Sequence, residues 1–185
     1  TVTIRRLIYL CLIISSLPFE AHAQTGTSAA PSSPSEDLSI YEGRPRVQAL
    51  RLNEGETLEL DGRLDEAAWE RATPAIDFIQ QNPDLGQPAT ERTEVRFLLS
   101  RNTLYMGVTC YDSDPAGILA NTMQRDAPLS ADDRFMWTFD TFLDARSAYY
   151  FEMNPNGAKG DALILSTNTT NIGDTGRAWD GIWEG

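Results

Sequence analysis

The chain has 185 residues, with 27 Asp and Glu against 15 Lys and Arg and a net charge of −12. That length suffices for one domain with its own core. So acidic a chain repels phosphate backbones and anionic bilayers, which argues against nucleic acid and acidic membranes as partners.

The first residues read as an export leader. Arg5 and Arg6 form a basic start, and Leu7 to Phe19 is an apolar run too short to span a bilayer. Ala21-His22-Ala23 is a small-residue cleavage site, giving a signal peptide over 1–23 and secretion to the periplasm, outer membrane or exterior. Its removal takes out two arginines and one glutamate, so the remainder is one unit more acidic. It also takes out His22, the only histidine, and leaves Cys110 as the only cysteine. Triads built on histidine, histidine bases, His-containing zinc sites and an internal disulfide are thereby excluded from the exported part.

Residues 24–40 are small, polar and rich in Pro and Ser, the composition of a disordered linker. Residues 41–185 are expected to form the domain. The sequence stops at "WDGIWEG", within an aromatic run, and reads as C-terminally truncated. Strands are predicted over 46–52, 57–62 and 75–81, the last ended by Asn82-Pro83. Between them "DGRLDEAAWERA" predicts one short helix, capped by Asp65 and stopped at Thr73-Pro74, with Trp69 as a core plug. Runs 93–100 and 103–112 flank Arg101-Asn102 as a hairpin. A strand over 118–126 follows, then a second hairpin from 134–142 and 147–154 around "LDAR". Asn154-Pro155-Asn156-Gly157 makes a strong turn into a strand over 158–166, and "RAWDGIWEG" starts another. The sum is an all-β fold, a β-sandwich with one short N-terminal helix.

Four stretches, "LDGRLDEAAWERA", "ERTEVRFLLSRNTLYMGVTCYDSDP", "DDRFMWTFDTFLD" and "YYFEMNPNGAKGDA", together resemble the family 9 carbohydrate-binding module. The match is nearest to the version at the N-terminus of large bacterial secreted proteins, ahead of a C-terminal region that looks like an outer-membrane barrel. The resemblance spans about residues 45–185 and implies a β-sandwich, secretion, sugar binding in some relatives and bound calcium in some. In sugar-binding relatives two tryptophans clamp the sugar: the place of one holds Leu129-Ser130-Ala131 here, and the other is expected past Gly185.

A sugar presents a C–H face that stacks on an aromatic ring and a rim of hydroxyls that need polar partners. Trp179 and Trp183, four apart, fall on one side of an extended chain, with Asp180 and Arg177 beside them. With Tyr150, expected to point outward, they are the candidate carbohydrate-binding residues. Trp137 shares a strand face with Phe135 and Phe139 and is expected in the core, where Tyr149 and Phe151 join it. The oxygen-rich loops carrying Asp112, Asp114, Asp140 and Asp144 are the candidate calcium site, although no EF-hand spacing is present. Asp133 and Arg134 are expected to pair, and Cys110 to be an inert core thiol. No pair of carboxylates is marked for glycoside hydrolysis. The expectation is therefore a non-catalytic, low-affinity glycan-binding module of a larger exported protein linked to carbohydrate catabolism. Its other partner would be its own C-terminal region, a membrane barrel by the resemblance. The alternatives are an interaction domain of a cell-envelope protein that has lost the sugar site, and an accessory part of a glycoside hydrolase.

Overall fold

The computed structural model describes residues 6–13, 43–165 and 179–185. The fold is all-β: two sheets, a single α-helix α1 (Ala67–Arg71) and a short 3-10 turn among the described residues. The five-stranded sheet runs β2 (Leu50–Arg51), β3 (Thr93–Leu99), β4 (Thr103–Cys110), β1 (Arg6–Ile13) and β8 (Trp183–Glu184). The three-stranded sheet runs β5 (Phe135–Phe139), β6 (Ala148–Met153) and β7 (Lys159–Ile164). The remainder of residues 1–23, all of 24–40 and the loop 166–176 lie outside the described residues.

Period-2 alternation sets the layers. On one face of the larger sheet, Val95 and Phe97 of β3 and Met106 and Val108 of β4 enter a cluster with Phe151 and Met153 of β6 and Trp183 of β8. Phe135, Trp137 and Phe139 pack against the same cluster, as their shared strand face requires. Trp137 stacks on Phe151 at 5.4 Å between centroids, with the planes 9° apart. On the opposite face, Leu98 and Tyr105 meet a second cluster made by Ala68, Trp69 and Ala72 with Leu50, Leu52, Leu58 and Leu64.

The helix is short because only five residues are helical, and it stays because Trp69 holds it down. Trp69 is 1% exposed. The cap is Glu66 rather than Asp65, which instead pairs with Arg63 at 2.7 Å. Gly107 makes room for the indole: a Cβ there would fall 2.6 Å from Leu64 Cδ2 and 2.8 Å from Trp69 Cζ3. Gly107→Ala is therefore expected to destabilise the fold by about 1–3 kcal/mol, the range for overpacking. A denaturant midpoint with unchanged slope would measure it.

Both hairpins form, with β3 antiparallel to β4 and β5 antiparallel to β6. The turn after β6 is closed by Asn154, whose Oδ1 accepts from the Asn156 and Ala158 amides, with Gly157 at φ +79. Three expected strands are absent. Residues 57–62 lie over the second cluster through Leu58 and pair with no strand. Residues 75–81 keep a bridge from Ala75 to Val95, then turn at Asp77 (φ +60) into a side arm closed by Ile79 opposite Pro88. In residues 118–126 Asp133 takes the Leu119 amide and Asp132 those of Asn121 and Thr122, while the Asp126 amide reaches the Lys159 carbonyl. Asp133 is thus not the partner of Arg134, which pairs with the fully buried Glu152 at 2.7 Å. Cys110, at the end of β4, is exposed rather than a core thiol.

Candidate ligand-binding site

Trp179 and Trp183 do fall on one side of the chain, but that side faces inward. Trp183 is 4% exposed and meets Trp137 edge-on at 5.7 Å and Phe151 at 5.5 Å. Trp179 is half-buried against Tyr149 at 4.8 Å and Phe151 at 5.9 Å. Gly181 lets the two indoles approach, since a Cβ there would lie 2.7 Å from Trp179 Cη2 and 3.3 Å from Trp183 Cδ1. Tyr150 is 7% exposed and donates its hydroxyl to Glu152 at 3.0 Å, so the outward orientation expected of it is corrected. Asp180 faces solvent, its side chain 77% exposed and paired with Arg125. Arg177 lies outside the described residues.

The indole of Trp183 is fixed by the carboxylate of Asp161. Asp161 sits on β7 opposite Phe151, fully buried. It accepts from Arg125 at 2.6 Å, Trp183 Nε1 at 2.8 Å and the Gly181 amide at 3.1 Å. Arg125 thereby joins a buried and an exposed carboxylate, and the Lys159 ammonium lies 5.1 Å from the Trp183 ring. The signal available was periodic: Lys159, Asp161 and Leu163 share a strand face, so a charge there implies an inward partner.

The four candidate calcium ligands organise two separate loops. Asp112 caps the Asp114 amide at 2.7 Å. Asp140 accepts from the amides of Asp144 and Ala145, and Asp144 from the amides of Arg146 and Ser147 and the Ser147 hydroxyl. Those bonds, the Ser147 amide first, hold the Asp144 carboxyl below its ordinary value. No group of three or more metal-ligating side chains occurs among the described residues.

Asp132 is held lower still, by the amides of Asn121 and Thr122 and by the Asn154 side chain at 2.9 Å. A carboxyl lowered on folding stabilises above its ordinary 3.8, and that contribution fades as pH falls through the lowered value. Asp132→Asn is therefore expected to lower the melting temperature at pH 7. It should also flatten the acid decline below about pH 4.

A cavity of about 180 Å³ opens on the outer face of the larger sheet. Leu64, lying over the buried Trp69, gives it an apolar side, and Glu70, Glu94, Arg96, Thr109 and Tyr111 its polar lining. Glu94 is 4% exposed and takes Arg96 at 2.6 Å, Arg92, and the Tyr111 hydroxyl at 3.4 Å. Arg92 also lies 5.0 Å from the centre of the Tyr111 ring. No protein-family model, no curated protein and no solved structure matches the chain.

The cavity alternates acceptors (Glu70, Glu94), a donor (Arg96) and hydroxyls (Thr109, Tyr111) around one apolar wall. It lies below the ~300 Å³ typical of drug-sized ligands, so it has room for one small ring. Sequence reasoning missed it because "TEVRFLL" reads as a strand with one solvated face. The available signal was Glu94 with an arginine two residues away on each side, all three on one strand face. Among the described residues no helix is long and apolar enough to cross a membrane.

Proposed function

We propose that the chain is a non-catalytic carbohydrate-binding module of an exported protein, of the two-sheet sandwich kind. The cavity beside Leu64, over the buried Trp69, and edged by the Glu94–Arg96–Tyr111 group supports this reading, because a small apolar surface next to mixed donors and acceptors suits a single pyranose. Binding is weak, since one ring fills the space. Trp179 and Asp180, half-buried and exposed respectively, supply a second contact at a separate place on the chain.

The test is a glycan array followed by calorimetry on the intact chain. Tyr111→Phe and Glu70→Gln each lose a polar contact without opening the core. They are expected to weaken monosaccharide binding about tenfold, the worth of one hydrogen bond. Wild-type affinity in both variants, with loss only in Trp179→Ala, would move the site to the aromatic end. Absence of any glycan binding would favour an interaction domain. That second reading draws on the arm 76–89, where Ile76, Phe78, Ile79 and Leu85 are all exposed.

A further inference from the structure

Strand β1 fills the lane between β4 and β8. It pairs antiparallel with β4 along its whole length, from Arg6 opposite Cys110 to Ile13 opposite Thr103. It also pairs through Cys11 and Leu12 with Glu184 and Trp183. Among the described residues β8 ends the sheet with β1 as its strand neighbour, while β3 takes the other side of β4. The same segment is the apolar centre of the leader, and cleavage after Ala23 removes it from the exported protein. β4 then becomes an eight-residue edge with unpaired donors and acceptors, and β8 has no ladder. Such an edge is what an added strand recognises.

We propose that the lane between β4 and β8 is a strand-accepting site. In the processed protein it takes an extended aliphatic segment of a second polypeptide, about eight residues long like Arg6–Ile13, its resident in the uncut chain. The inference rests on the export reading only for the removal of β1. The neighbours of the lane fix the chemistry of the occupant. On one face stand Met106, Val108 and Trp183, all in the main cluster. On the other, Tyr105 belongs to the Trp69 layer, and Gly107 lies directly under Leu64 and the indole. A strand flanked by apolar layers on both faces must be apolar at odd and even positions alike. After its arginine, "RLIYLCLI" is so composed. The β4 strand of a second copy, "TLYMGVTC", brings Thr103 and Thr109 and fits less well.

The experiment uses the full chain carrying a protease site within residues 24–40, cut after folding. A labelled, lysine-flanked peptide of residues 6–13 with Cys11→Ser is then added, beside the same peptide with Leu10→Pro. One-to-one uptake of the first peptide alone, with slowed amide exchange across Thr103–Cys110, is expected. If the cut chain unfolds when its own segment leaves, recovery of the fold on adding the first peptide counts equally in favour. No uptake, equal uptake of the proline peptide, failure of that recovery, or a doubled mass with no peptide bound overturns the proposal. An intact N-terminus on the exported protein would overturn the removal of β1, and with it the open lane in the processed chain, while leaving the peptide-exchange result standing.

Discussion

Replacing Asp161 by alanine is expected to destabilise the fold by about 2–3 kcal/mol, because the half-exposed Arg125 keeps Asp180 while buried hydrogen bonds to a charged acceptor are lost. The change leaves Arg125 without its buried partner and the Trp183 N–H without an acceptor, inside a cluster that otherwise offers aromatic rings. Asp161→Asn keeps the volume and one acceptor and should cost less. Urea unfolding at neutral pH, followed by tryptophan emission, measures both variants. If alanine and asparagine both stay within ~0.5 kcal/mol of wild type, Asp161 does not anchor the indole.

The second large effect is expected at Trp69. Trp69→Ala should cost about 3–5 kcal/mol, because a large aromatic is lost from a closed site and a five-residue helix cannot refill it. The five-residue helix is too short to persist on propensity alone, so amide protection across Ala67–Arg71 should vanish with the indole. Trp69→Phe should retain part of both. The same variants remove the support under Leu64 at the edge of the cavity, so glycan affinity is expected to fall in parallel. A stable Trp69→Ala protein with a protected helix would show that Leu64, Ala68 and Ala72 suffice.

The hairpins were legible because each was encoded locally. Asn154 to Gly157 contains its own acceptors and its own positive-φ glycine, so nothing distant has to agree. The aromatic face of Phe135, Trp137 and Phe139 was legible by period alone. Residues 118–126 were not, because their apolar content suggests a ladder while their amides bond to Asp132 and Asp133, beyond any window of periodicity. The direction of Trp179 and Trp183 was half legible. Spacing put both indoles on one side, but whether that side met water depended on Asp161, about twenty residues away. The cavity stayed hidden because it is assembled from Leu64, α1, β3, β4 and the residue just after β4.

The contact of Gly107 with Leu64 and Trp69 has a consequence for how this sequence can change over time. Position 107 lies far along the chain from positions 64 and 69, yet the three share one fixed volume. Among descendants of this sequence, a side chain gained at 107 should be accompanied by a smaller one at 64 or 69. The converse loss of the indole should release the glycine to drift. Paired change of that kind, read from related sequences, would record the close approach without any further structure.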